Sequence, residues 1–167
     1  MAGMETTLSP GTATGQLGPE TLAAILASSQ MGGSLSAAWA LGDQGSTMID
    51  PLVDVLQNTD RNVRWSAAIA LQRIGADAVD PLAKVLVHAA PEARAPAIWA
   101  LEKIGDARAV DPLINVLRSD CDEFCRWMAA AALRTIGHPA GIEAVNEALS
   151  AASPDEIGYI EELIEGS

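Results

Sequence analysis

The tripeptide Asp-Pro-Leu occurs three times, at Asp50-Pro51-Leu52, Asp80-Pro81-Leu82 and Asp111-Pro112-Leu113, at intervals of 30 and 31 residues. A motif returning at that interval restricts the chain to an array of similar units. Other landmarks keep the same register. Nine or ten residues before each Asp stands Leu41, Leu71 or Leu101, and Leu133 continues the series. Four residues after each Leu stands Gly45, Gly75, Gly105 or Gly137, and seven residues before the last three Leu stands Arg64, Arg94 or Arg126. Four landmark types in one register define a repeat.

Each unit reads as two helices. The first, as in Val63 to Ile74, has apolar or alanine residues around most of its circumference and must be packed on several sides. Its Gly suits the positive φ that ends a helix. The second, as in Val79 to Val87, carries Leu82, Val85 and Leu86 on one face. Proline in its first turn costs little, because those N–H groups have no intrahelical partner. Asp60 and Asp122 stand where N-caps are needed. Alanine supplies 31 residues and aromatics only 4%, a composition for closely packed helices rather than strands.

The expected fold is therefore all-α, a right-handed α-solenoid of about four two-helix repeats with capping helices. The repeats are placed near residues 34–60, 61–90, 91–120 and 122–151, within one domain spanning 18–167. Residues 1–17, with one charge among Gly, Thr, Ser and Pro, are expected to be disordered. Residues 153–167 are expected to cap the far end, with an acidic helix presenting Ile157, Ile160 and Leu163. Charge follows this plan. Residues 1–60 hold six acids and no base, 61–134 hold nine acids and all ten bases, and 135–167 hold seven acids and no base. The net charge of −12 argues against nucleic acid as a partner. No apolar run approaches the roughly 18 residues of a membrane span. The first base is Arg61, so a secretory signal is not expected. With two cysteines, the expected location is cytoplasmic.

The run Val63-Arg64-Trp65-Ser66-Ala67-Ala68-Ile69-Ala70-Leu71-Gln72-Arg73-Ile74-Gly75, followed by Ala78-Val79-Asp80-Pro81-Leu82, resembles the HEAT-like repeats of the phycobilisome lyase family. Ile104-Gly105-Asp106-Ala107-Arg108-Ala109-Val110-Asp111-Pro112-Leu113 repeats the resemblance, which extends over about Ser36 to Leu149. It implies a ladder along the stack in which Asp50, Asp80 and Asp111 pair with Arg64, Arg94 and Arg126. The deoxyhypusine hydroxylase branch binds two irons through His-Glu pairs. This chain has only His88-Ala89 and His138-Pro139, which excludes that activity, and no metal or cofactor is expected.

Cys121 and Cys125 read as a loop residue and a small buried hydrophobe. Trp39 and Trp99 share one slot, Trp65 and Trp127 another, and all four are expected to pack in the core or at a groove edge. The informative surface is the inner face of the second helices. Equivalent positions there are Asp54, Lys84 and Asn115, then Gln57, Val87 and Arg118, then Asn58, His88 and Ser119. They do not repeat a catalytic group. The candidate groove is Asp54, Lys84, His88, Asn115 and Arg118, and the expected role is a non-enzymatic scaffold for a protein partner. The alternative, a phycobilin lyase-type subunit or chromophore-handling factor, would need Arg118, Lys84, His88 and Trp99 to converge on a bilin.

Overall fold

A computed structural model describes residues 18–28, 33–154, 157, 158 and 162. Among the described residues there are nine α-helices and no strand: α1 (Pro19–Ser28), α2 (Gly33–Gly42), α3 (Ile49–Val55), α4 (Arg61–Ile74), α5 (Val79–His88), α6 (Pro91–Ile104), α7 (Val110–Ser119), α8 (Glu123–Ile136) and α9 (Pro139–Ala151). They form two layers. The even-numbered helices α2, α4, α6 and α8 pack in succession as one layer, and α1, α3, α5, α7 and α9 do so as the other. Hairpins such as α5–α6 and α7–α8 join the layers, which completes an α-solenoid. The expected tail (residues 1–17) and most of the expected cap (residues 153–167) lie outside the described residues.

Burial explains the two sequence patterns. α8 buries Cys125 and the continuous run Trp127 to Leu133, because α6 packs beside it in its own layer and α7 and α9 pack against it from the other layer. α7 buries only the stripe Val110, Leu113, Val116 and Leu117, leaving its other face to solvent. The landmark leucines are the centre of each layer contact: Leu71, Leu101 and Leu133 have no exposed surface and Leu41 has 4%. Gly42 marks a close approach of α2 to α4. A Cβ there would lie 2.8 Å from Arg73 Cβ and 2.9 Å from the Ala70 carbonyl oxygen.

Local signals set the helix ends. Asp60 accepts hydrogen bonds from the backbone N–H groups of Asn62 and Val63 at 2.7 and 3.3 Å, and Asp122 accepts from Cys125 N at 2.8 Å. Gly75, Gly105 and Gly137 close α4, α6 and α8 with φ of 84°, 71° and 73°, which a side chain would resist. A short 3-10 turn precedes α3, α5 and α7 in each unit, a feature the hydrophobic period does not reveal. The tripeptide prolines occupy the third position of these inner helices.

Two expectations about side chains need correction. The tryptophans are not uniformly buried. Trp127 is 6% exposed, but Trp39 is 54% exposed, with the Arg73 guanidinium 5.7 Å from its ring. Trp65 and Trp99 meet edge to face with centroids 5.9 Å apart.

The ladder also differs. Asp50, Asp80 and Asp111 are all exposed in the first turns of α3, α5 and α7, where they complement the helix dipole. None pairs with Arg64, Arg94 or Arg126. Asp80 instead meets Arg108 at 3.3 Å. The three Arg residues hold loop carbonyls: Arg64 bonds to Asn58 O and Thr59 O, Arg94 to Ala89 O and Arg126 to Asp120 O, all at 2.8–2.9 Å. The one carboxylate on this line is Asp120, 2.6 Å from Arg94 Nη2, with side chains 4% and 12% exposed respectively. A first-turn Asp points out from the inner layer, whereas a loop residue at the end of α7 reaches between the layers.

Candidate functional groove

The inner face of the stack contains a groove of about 710 Å³ between α5 and α7. Leu86, Val87, Pro112 and Val116 make it apolar, while Lys84, His88 and Asn115 stand along it as polar groups. Consecutive inner helices bring these residues together because each presents the same face to solvent. Val87 is 70% exposed, which is unusual for a large aliphatic side chain flanked on both sides by helices. Neither Lys84 nor His88 forms an ion pair with a described residue.

Three of the five candidate positions therefore lie in one groove, and two do not. Arg118 is on α7 but turns toward α9, where its Nη2 donates to Glu147 Oε2 at 2.9 Å. Asp54 is exposed on α3, one helix before the groove. The bases and ring considered for a bilin are separated in the same way, since Trp99 belongs to α6 and contacts Trp65.

Sequence reasoning missed one wall. Arg94 and Asp120 line the groove together, beside Cys121. Burial works against the Arg94 charge, but Asp120 and neighbouring sulfur groups raise its pKa, so the guanidinium stays cationic. A sequence signal existed, the one-residue insertion that makes the α7–α8 loop Asp120-Cys121-Asp122 where the α5–α6 loop is Ala89-Ala90.

The two cysteines have opposite environments. Cys121 is exposed, and Cys125 is fully buried with Sγ 3.7 Å from Pro91 O. Burial and the carboxylates of Asp122 and Asp120 push the Cys125 thiol up to about 12. A thiolate is the reactive form, so Cys125 stays inert at pH 8. In native protein a maleimide should modify one thiol per chain, at Cys121, and a second only after denaturation. Two rapid equivalents in native protein would contradict the burial.

A two-layer stack of repeated helix pairs with a groove on its inner layer defines a helical-repeat solenoid. The chain belongs to the HEAT repeats family, matching it over residues 19–92 and 79–162. Among solved structures, the chain is similar to two designed armadillo repeat proteins. One is designed armadillo repeat protein YIII(Dq.V1)4CPAF in complex with peptide (KR)4, at 21% identity and a TM-score of 0.46, covering 87% of this chain and 80% of that one. The other is designed armadillo repeat protein YIII(Dq)4CqI, at 21% identity and a TM-score of 0.41, covering 87% of each chain. No protein with a curated description matches the chain.

Proposed function

We propose that the chain is a non-enzymatic scaffold that holds a segment of a partner protein against the α5/α7 groove. The observation that carries this reading is the exposed Val87 beside Leu86 and Val116, bordered by Lys84, a cation with no ion pair among the described residues. An apolar centre with a polar rim is what a peptide side chain can bury against and be oriented by. A HEAT solenoid supplies such a surface without a catalytic group. The tetrapyrrole reading has less support, because Arg118 and Trp99 stand outside the groove.

A photo-crosslinking residue at Val87 should capture one defined partner, identifiable by mass spectrometry. Lys84→Glu combined with His88→Glu should weaken that capture by about tenfold or more, the loss of one good contact. Arg134→Glu on the outer layer should leave capture unchanged. All three substitutions lie at exposed positions and should alter stability by no more than about 0.5 kcal/mol each. Equal loss from the outer change, or no loss from the inner pair, would remove the groove as the functional surface.

A further inference from the structure

Arg94 and Asp120 show how one repeat answers its buried arginine, and the repeat before it lacks that answer. Asp120 has three roles, one of them to accept from the Asp122 backbone N–H at 2.9 Å. Its carbonyl accepts from Arg126 Nη1 at 2.9 Å, and its side chain accepts from Arg94 Nη2 at 2.6 Å. Ala89 is the equivalent residue one repeat earlier. Its carbonyl accepts from Arg94 Nη1 at 2.9 Å, and like Asp120 it is the extended residue that closes an inner helix. Ala89 has no carboxylate to offer Arg64.

Arg64 accordingly meets only the carbonyls of Asn58 and Thr59, and no ion pair with a described residue reaches it. Its Nε is buried without a hydrogen-bond partner, as is that of Arg94. Its Nη2, the counterpart of the atom that binds Asp120 in the next repeat, has no partner among the described residues either. A partly desolvated guanidinium without a counter-charge is unfavourable. This one lines a pocket of about 350 Å³ shared with Leu56, Gln57, Asn58, Ala90 and Ala93.

We infer that this pocket binds one carboxylate side chain on a peptide segment of the partner, which takes the place at Arg64 that Asp120 takes at Arg94. The inference rests on the scaffold reading for the peptide but uses different residues from the α5/α7 groove. Charge complementarity selects the acid. Size selects a peptide over a free carboxylate ion, since a single water accounts for roughly 30 Å³ and this pocket is many times larger. Leu56, Ala90 and Ala93 accept an aliphatic stem, and the Gln57 and Asn58 amides can bond to a peptide backbone. Glu92, exposed on the rim, disfavours a second acid, so the segment carries its carboxylate between neutral neighbours.

The test follows the Arg64 Nε–Hε resonance and the Ala90 and Ala93 amides by NMR. The probes are N-acetyl-aspartyl-N-methylamide, its asparaginyl counterpart and acetate, at constant ionic strength. The aspartyl compound should give saturable shifts, with the asparaginyl compound and acetate each weaker by about tenfold, the loss of one charge-assisted bond or of the peptide contacts. Arg64→Gln should abolish the response. Ala89→Asp keeps Arg64 but builds in the missing carboxylate, so it should raise the thermal midpoint and weaken the aspartyl compound by about tenfold. Equal binding of all three probes, or undiminished binding to Ala89→Asp, would overturn the inference. Neither result touches the α5/α7 groove, whose test is capture through Val87, so the two readings fail separately.

Discussion

Arg94→Ala lowers stability by about 3 kcal/mol, which for a chain of this size is a fall of roughly 6–12 °C in thermal midpoint. The substitution leaves the Asp120 carboxylate 4% exposed without its cation and frees the Ala89 carbonyl as well. Removing one member of a buried pair is costly because the other charge remains desolvated. The figure belongs at the low end of that range, since Arg94 itself is 12% exposed. Replacing both residues with apolar side chains, as in Arg94→Met with Asp120→Leu, should recover most of the loss. Thermal and urea unfolding of the single and double variants checks both statements. A midpoint unchanged by Arg94→Ala would mean that water, not Asp120, satisfies this charge.

The second large effect is at Leu101. Leu101→Ala should cost about 3–4 kcal/mol, because the side chain has no exposed surface and lies between α4 and α8 in the middle of the outer layer. In a solenoid each repeat contacts only its neighbours, so damage at the centre also uncouples the two halves. Unfolding of Leu101→Ala should therefore be less cooperative than that of wild type, with a smaller urea m-value. Leu41→Ala, nearer the end of the stack, should lower stability while leaving cooperativity nearly intact. If the two variants proved indistinguishable in m-value, the stack would be unfolding as one unit.

The repeat and its two helices were legible because their signals are local. A proline costs least in a first turn, a positive φ favours glycine, and a capping carboxylate bonds within three residues of itself. Asp60, Asp122 and Gly75 therefore announced their helix ends at single positions, and the structure has them there. The difference between a helix buried all round and one buried on a stripe was also legible, since the period of apolar residues reports how many neighbours a helix has.

Membership of the groove was legible only in part. Equivalent repeat positions showed that Lys84, His88 and Asn115 share a face, but not that Arg118 would turn toward Glu147. A long exposed side chain takes its direction from whatever charge lies within reach, and Glu147 is 29 residues away in sequence. The same cause misdirected the ladder. Asp80 and Arg94 have a regular spacing, and regular spacing suggested pairing, but the first-turn Asp faces solvent while the arginine points into the loop.

For this chain, then, sequence alone determined the unit, its length, its helix ends and the order in which helices stack. Those properties depend on φ, on hydrogen bonds within a few residues and on the period of burial. Tertiary structure alone decided which charges meet. That Asp120 serves Arg94, and that Ala89 leaves Arg64 without the same partner, follows from where successive loops lie between two packed layers. An ion pair requires two side chains to arrive within about 4 Å after both layers have formed, and no local rule contains that distance.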